Sequence, residues 1–398
     1  MNENHERIIF HIDVNSAFLS WSAVDALKNG QKIDIRKIPS VIGGDEASRH
    51  GIVLAKSNSA KKYGIITGES LFSARKKYPN LKVVPPCFPV YQKYSKAMID
   101  LLQEYTPLLQ QYSIDECFLD VTKDLRDEPI KMADAIRERI KIELGFTVNI
   151  GISNNKLLAK MASEFNKPDK VNTLYHSEIK EKLWPLSVGE LFMVGKKATE
   201  KLNRLYIFTI GELANYSAEL LKSKFKSYGL MIWDYANGID NSDVECNTSE
   251  MKVISNSTTF PDDITESSSA YKILKNLSEN LSTRLRELNK CCSSISVSIR
   301  SSDFKNYSHQ KTLLNPTCST KKIIATVLQL FDEVWKKEPI RLLGVALTQL
   351  ADEGYYQMSI FEMAQDNKEK SLDKAIDSIR KKYGQDAVKS ADSLMNKL

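Results

Sequence analysis

The sequence predicts an α+β chain of several domains, on three observations. Short apolar runs of strand length alternate with stretches of helical periodicity, in the order strand, helix, strand, helix, strand, with antiparallel pairing possible. At 398 residues the chain exceeds what one core commonly serves, which points to about two to four domains. A polar stretch at 241–251, NSDVECNTSEM, divides a first α+β part, ending in helices, from a second α+β part.

The first strand lies in RIIFHIDVNSAF. Ile8, Ile9, Phe10 and Ile12 form a nearly continuous apolar run, as a buried strand does. Asp13 ends it. Asn15 is placed to cap a helix carrying Ala17, Trp21, Val24 and Leu27, with Gly30 past its end. Residues 31–80 read as a small α/β insertion. IDIRKIPSVIGG gives a strand region closed by a glycine turn, GIVLAKS a second strand, and LFSARKKYP a short helix stopped by Pro79. Tyr94, Met98, Leu101, Leu102 and Tyr105 then mark an amphipathic helix over Tyr91–Tyr105, ended by Pro107.

The stretch Gln111–Thr122, QYSIDECFLDVT, reads as an apolar strand with two adjacent carboxylates in its middle. Alternation sets Asp115 with Cys117, Leu119 and Val121, and Glu116 with Phe118, Asp120 and Thr122. Two acids in so apolar a run cost desolvation unless a cation or a tight turn relieves it. One reading is a hairpin tip with solvated acids. The other is a metal site that takes a third carboxylate from elsewhere, for which Asp13 is the candidate. An Asp at a strand-to-helix junction plus a hairpin Asp-Glu is a donor set suited to two Mg2+ ions and to phosphoryl or nucleotidyl transfer.

A helix follows at about Ile130–Leu144, with Ile136, Ile140 and Leu144 inward and Gly145 past its end. FTVNIGIS is a strand. In SNNKLLAKMASEFNKP, Asn154 or Asn155 caps a helix that stops before Pro168. Lys156 and Lys160 lie four apart on a face away from Leu157, Met161 and Phe165, by themselves a solvated polar face. Residues 172–240 read as all helical. LFMVGKKATEKLNRL has a helix–glycine turn–helix form, and IFTIGELANYSAELLKSKF repeats it. Such a turn presents backbone N–H groups to a phosphate, though it is also an ordinary helical hairpin. After the linker, VISNSTTF, SSISVSIRS, SHQKTLLN and RLLGVALTQL read as strands, with helices at Ser267–Leu288 and Thr320–Trp335. QMSIFE and a charged tail with Leu372, Ile376, Ile379 and Tyr383 at helical spacing close the chain.

Composition narrows the partners. A net charge of +6 and a pI near 8.7 permit a nucleic-acid partner without requiring one. The cysteines Cys87, Cys117, Cys246, Cys291, Cys292 and Cys318 show no C-x-x-C spacing. This predicts neither a zinc site nor a disulfide framework and suits a reducing cytoplasm. No apolar run is long enough to span a bilayer, and the polar N-terminus is no signal peptide. No membrane partner is expected.

HIDVNSAF, SIDECFLD, GISNNKLLAKMASEFNKP and the order of the segments after them resemble the Y-family DNA polymerases, the translesion enzymes, and most closely the bacterial DNA polymerase IV group. The resemblance covers roughly residues 6–361. It implies a multidomain right-hand polymerase. Palm would occupy 1–30 and 81–171, fingers 31–80, a helical thumb with helix-hairpin-helix elements 172–240, a linker 241–251, an α+β little finger 252–352, and a tail 353–398. The implied activity is template-directed addition of dNTPs to a primer 3′-OH, with low fidelity and without proofreading, since no segment is left for an exonuclease. The resemblance implies that Asp13, Asp115 and Glu116, with the Val14 backbone carbonyl, hold two Mg2+ ions. It makes Phe18 the steric gate against a 2′-OH, although Ala17 replaces an aromatic of many relatives. Ser16, Asn58, Lys61 and Lys160 would face the dNTP, Lys160 at the β- and γ-phosphates. Asn58 and Lys61 depart from the Tyr and Arg of relatives, and Lys61 lacks the guanidinium fork.

Gly195 and Lys196 in the thumb, and Arg300, Lys305 and Lys311 in the little finger, would meet the DNA backbone. Gln357, Met358, Ile360 and Phe361 match the peptide with which bacterial polymerases plug the sliding clamp, its β subunit. The implied partners are primed template DNA, dNTPs and that clamp, with the polymerase itself a monomer. Two rivals stand against this. An inactive DNA-binding accessory factor of the same fold would lack the acids, and all three are present. GGDEA at 43–47 resembles the signature of diguanylate cyclases, but a cyclase needs neither thumb nor little finger.

Overall fold

The computed structural model describes residues 7–46, 48–49, 51–124, 128–246, 251–352, 360–384 and 387–388, with side chains from residue 371 onward in the last helix. The chain divides into two units, one of residues 1–44 and 51–248, the other of 45–50 and 249–398.

In the first unit, β1 (Ile9–Val14) runs into α1 (Ala17–Lys28). Ser16, not Asn15, is the N-cap residue, in left-handed backbone at φ 48. The Asn15 side chain is engaged elsewhere, accepting from Thr147 Oγ1 at 3.0 Å and the Asp169 N–H at 2.9 Å. The insertion holds β2 (Ser40–Gly43), β3 (Val53–Lys56), α2 (Asn58–Lys61), α3 (Leu71–Lys77) and β4 (Lys82–Val84), with strand order β3-β2-β4. Ser57 caps α2 by accepting from the Ala60 N–H, and Ser70 caps α3 through Ser73 N–H. Then come α4 (Phe88–Leu102), β5 (Leu109–Gln111), β6 (Glu116–Asp120), α5 (Pro129–Arg139) with a π turn at Ile140–Leu144, β7 (Val148–Ser153), α6 (Lys156–Ser163) and β8 (Val171–Thr173).

The main sheet has the order β5-β6-β1-β7-β8. β1 lies between antiparallel β6 and β7, and β8 joins β7 in parallel. Phe10, Ile12 and Val14 point to one face and form a core with Trp21, Tyr91, Met98, Ile136 and Phe146. Ile9, His11 and Asp13 share the other face by alternation, and there Ile9 packs with Phe118 and Ala159 of α6. Gly151 of β7 sets the distance of α6 from the sheet. A Cβ there would collide with the backbone of Ala159 and Ser163. On its far side α6 sends Leu157, Leu158 and Met161 into a cluster with Leu183, Ile207, Ile210, Leu213 and Ile232.

The expected strand over Gln111–Thr122 is two strands and a turn. The N–H groups of Tyr112 and Ser113 both donate to the Glu116 carbonyl, at 3.0 and 3.2 Å. Asp115 therefore sits in the hairpin turn and Glu116 opens β6. The stretch expected to be all helical from residue 172 starts as the last strand of the main sheet. It continues through a 3-10 turn at Val188–Glu190, then α7 (Lys196–Asn203), α8 (Ile210–Ala214), α9 (Ala218–Phe225) and α10 (Ser227–Ala236). The limb before the Gly195 turn is a short 3-10 turn and loop instead of a helix.

The second unit contains β9 (Val253–Ile264), α11 (Ser267–Glu287), β10 (Lys290–Ser301), β11 (Asn306–Thr317), α12 (Thr320–Val334), β12 (Ile340–Asp352) and α13 (Ile360–Tyr383). Its antiparallel sheet has the order β11-β10-β12-β9. Ile295, Val297, Ile299, Leu343, Val345 and Leu347 bury one sheet face against Leu274, Leu281, Val327 and Phe331 of α11 and α12. The tail is a docked helix. Arg286 of α11 is only 10% exposed and pairs with Asp377 at 2.6 Å and Asp373 at 3.3 Å. Asp373 also accepts from the Thr320 N–H at the start of α12, and Arg380 pairs with Glu279 at 2.8 Å. Among the described residues, no helix is long and apolar enough to cross a membrane.

The close approach at Gly151 leaves no room for one methyl group. Gly151→Ala is expected to destabilise the first unit by roughly 2–3 kcal/mol, the upper end for overpacking, because the atoms in the way are backbone. Urea denaturation with intrinsic fluorescence as readout measures it.

Candidate active site

The sheet register brings two of the three expected acids face to face. Asp13 on β1 is paired with Glu116 on β6. The third is tied to them through the main chain, since the Val14 N–H donates to the Asp115 carbonyl at 3.1 Å. The side chains, however, do not converge. Among the described residues no three His, Cys, Asp or Glu side chains are gathered as a metal shell. Each acid has its own partner. Lys167 Nζ is 2.5 Å from Asp13 Oδ2, Ser113 Oγ donates to Asp115 Oδ1 at 2.6 Å, and Lys160 and His11 both meet Glu116 Oε2.

These partners and the degree of burial set the charges. Burial raises the Asp13 carboxyl to about 6, against the pull of the Lys167 ammonium. Burial also opposes ionisation of Glu116, but the hydrogen bonds from His11 and Lys160, and the Lys160 charge, hold it down at about 2. His11 is fully buried, and burial lowers its pKa to about 4 even with Glu116 beside it. The donor set consists of hard carboxylate oxygens at one end of a sheet, and Asp13 is incompletely compensated by its lysine. Such a set fits a hard divalent cation of the Mg2+ kind.

A cavity of about 440 Å³ opens beside Asp13. Ser16, Asn58 and Lys61 line it, together with Asn15, Arg36, Lys37, Lys56 and Lys167. Phe18 stacks on Tyr91 with ring centroids 4.5 Å apart and an interplanar angle of 10°. It is a half-buried member of an aromatic group with Trp21 and Phe88.

Residues 12–164 match the model of the impB/mucB/samB family, and residues 251–360 match that of the family's C-terminal domain. A DNA polymerase IV of Clostridium acetobutylicum is 61% identical over 383 residues, 96% of this chain and 97% of its own length. The chain belongs to the Y-family DNA polymerases of the impB/mucB/samB group. A DNA polymerase IV of Acetivibrio thermocellus is 36% identical over 391 residues, 96% of each chain. A solved Y-family DNA polymerase chimera shares the fold, with a TM-score of 0.77 at 23% identity over 87% of this chain and all of its own. This Y-family member is thus a DNA-directed DNA polymerase with an α+β fold.

Within the polymerase, several expected residues stand elsewhere than foreseen. Lys160, expected at the β- and γ-phosphates, is paired with Glu116 and lies between the rings of Tyr112 and Phe192, at 5.4 and 5.3 Å. Lys167 lines the cavity instead. The reason is helical geometry. Lys160 sits on the turn of α6 that crosses the sheet, whereas Lys167 lies beyond the helix, in the loop that folds back over Asp13. That loop is held by Asn149, buried opposite Asp13 in β7, which donates to the carbonyls of Ser163 and Phe165 at 3.0 and 3.1 Å. Asn149, His11 and Lys167 were not singled out from sequence. The only sign of the first two was a polar residue inside an apolar strand, and Lys167 had no more than its place before Pro168.

Gly195 is the N-cap residue of α7, with open space where a Cβ would be, and Lys196 is the first residue of that helix. Arg300 bonds Asn306 across the β10–β11 pair at 2.7 Å, and Lys305 lies in the turn between them, 3.7 Å from Asp303. Lys311 requires a correction. It is in register with buried Ile295 and bonds Gln329 of α12 at 3.0 Å. It therefore stands on the helix-bearing face, while Arg300, one step out of phase, stands on the opposite one. Gln357 and Met358 lie outside the described residues, and Ile360 and Phe361 begin α13 as backbone only. Asp45 of the GGDEA turn accepts from the Ser48 N–H at 3.1 Å, a local turn contact.

The Asp13 carboxyl has a pKa of about 6 when folded, against an ordinary value of 3.8. Between these limits the folded state binds more protons than the unfolded one, so stability falls as pH rises from about 4 to about 6. In EDTA, Asp13→Asn is expected to be more stable than the native protein above pH ~6, by on the order of 1–3 kcal/mol, with the gap narrowing toward pH ~4. Mg2+ is expected to narrow it as well. Urea titrations across this range, with and without Mg2+, measure both effects.

Proposed function

We propose that this polymerase adds dNTPs to a primer 3′-OH by two-metal nucleotidyl transfer, at low fidelity and without proofreading. The observation that carries the reading is the β1–β6 register, which sets Asp13 opposite Glu116 beside a cavity floored by lysines. Asp13, Asp115 and Glu116 would hold two Mg2+ ions with the Val14 carbonyl, Glu116 nearer the primer. Bound there, the ions would lower the pKa of the primer hydroxyl and neutralise charge on the leaving pyrophosphate. Lys56, Lys61 and Lys167 supply positive charge around the triphosphate, and Asn58 supplies an amide where relatives carry a phenol. Phe18, held against Tyr91, is the ring that would exclude a 2′-OH.

The domain reading remains palm, fingers, thumb, linker, little finger and tail over the ranges given above. Gly195, Lys196, Arg300 and Lys305 are the proposed contacts to the DNA backbone. The peptide Gln357–Phe361 would hold a sliding clamp, raising the effective concentration of an otherwise distributive, monomeric enzyme at the primer end. A reducing cytoplasm suits its free cysteines, four of which are buried.

Primer extension with the purified full chain, one primed template, dNTPs and Mg2+ tests the reading. Metal-dependent extension is expected in the native protein and none in Asp115→Ala, with primer–template binding retained in both. Native protein that binds the template yet adds no nucleotide under any divalent metal would make it an accessory factor of the same fold. Deleting 357–361 is expected to leave unassisted extension intact and to remove clamp stimulation, a loss on the order of 10²-fold or more in processive product. Product-length distributions with and without clamp measure it.

A further inference from the structure

A buried chain of polar groups, His11 and Ser163, lies beneath the acids. His11 is fully buried in the central strand of the main sheet. It stands two residues before Asp13 and so shares its face. On β6 its cross-strand partner is Phe118, whose ring lies 4.6 Å from the imidazole, and Glu116 is the diagonal neighbour. On β7 its partner is Gly151. The missing Cβ at Gly151 is what admits α6, and α6 delivers Ser163 over the imidazole. Ser163 Oγ is 2.8 Å from His11 Nδ1, and His11 Nε2 is 3.0 Å from Glu116 Oε2. Polar groups are costly in so apolar a face unless they have polar partners, and each ring nitrogen has one within hydrogen-bond distance.

We propose that His11 is a positioning residue, which orients the Glu116 carboxylate for its cation by donating Nε2–H to Oε2. The inference rests on the polymerase reading of Glu116. The chain of contacts gives the ring one role at each end. Glu116, a carboxylate, can only accept, so Nε2 carries the proton. Nδ1 of the neutral ring faces the Ser163 hydroxyl, whose single proton it shares with the Lys160 carbonyl. Ser163 also lies 2.8 Å from the Lys160 carbonyl, so the same turn of α6 fixes both the ring and the lysine that reaches Glu116. A metal-binding carboxylate held by an outer hydrogen bond loses affinity when that bond is removed, typically by about 10- to 100-fold. His11 is not among the residues lining the cavity, and its effect passes through Glu116.

The test uses the full chain bound to primer–template, with Mn2+ titrated and the free ion read by electron paramagnetic resonance. The Glu116-dependent binding is the difference between the native protein and Glu116→Ala. His11→Phe keeps a ring against Phe118 and has no donor. It is expected to weaken that binding about 10-fold or more and to lower kcat with the KM for dNTP unchanged. His11→Gln, which returns an N–H, is expected to recover part of both. Ser163→Ala, which keeps the ring and frees its far side, is expected to shift both readouts in the same direction by less. His11→Phe within about twofold of the native protein in Mn2+ binding and kcat overturns the inference. If circular dichroism shows His11→Phe unfolded, Ser163→Ala decides, and unchanged Mn2+ binding in it overturns the inference. A native protein with no Glu116-dependent Mn2+ binding overturns the polymerase reading of Glu116 and the inference with it.

Discussion

The close approach of α6 to the main sheet at Gly151 is the constraint on which the site depends. A helix at ordinary distance from a sheet leaves room for side chains between them. Here the backbone of Ala159 and Ser163 lies where a Cβ of β7 would be. From that position α6 presents Lys160 to Glu116 and Ser163 to His11, and its C-terminal end hands the chain to the loop carrying Lys167. The hydrophobic side of the same helix is buried among the helices that follow. One element thus meets the acids with its polar face and the helical region with its apolar face.

The acids illustrate how placement sets charge. Asp13 and Glu116 are neighbours in register, yet their carboxyls settle about four pKa units apart. Burial opposes ionisation of both. Glu116 has two hydrogen-bond donors on one oxygen to offset it. Asp13 has one lysine, which Glu164 shares at 2.8 Å. The asymmetry leaves Asp13 the acid least satisfied by the protein alone, and the one for which a divalent cation has the most to offer.

The second unit uses its sheet differently. One face carries the large aliphatic residues of the core. The other, by the register of β9, β10 and β12, carries Ser255, Ser257, Ser294, Ser296, Ser298, Gly344 and Ala346, with the larger Val253, Thr259, Leu342 and Thr348. Arg300 stands on this face and Lys311 does not. The tail helix is held to the helical side through Arg286, a buried cation whose two carboxylate partners both come from the tail. Desolvating three charges is tolerated because the guanidinium also donates to the Cys318 carbonyl and the Thr320 hydroxyl, at 2.9 Å each.

The sequence by itself determined the fold class, the family and most of the elements. Those properties depend on local pattern. Apolar runs, helical periodicity, capping residues such as Asn155 and stops such as Gly145 act over a few residues, and the strand of the first acid and the helices of the second unit fall where their patterns put them. The motifs carried the family for the same reason, being contiguous. Only the tertiary structure decided which groups meet the acids. Asn15 reads as a cap but serves as a bridge to Thr147 and Asp169, because β7 brings those groups within reach. Asp115 reads either as mid-strand or as a hairpin tip, and it stands in the hairpin turn because the Glu116 carbonyl takes two N–H groups. Lys160 meets Glu116 while Lys167, seven residues on, meets Asp13, because α6 ends between them. His11 had no legible role, since its partners lie 105 and 152 residues away. A contact across such separations is set by sheet register and by the distance at which a helix can dock, and a glycine with no neighbours in sequence to explain it set that distance.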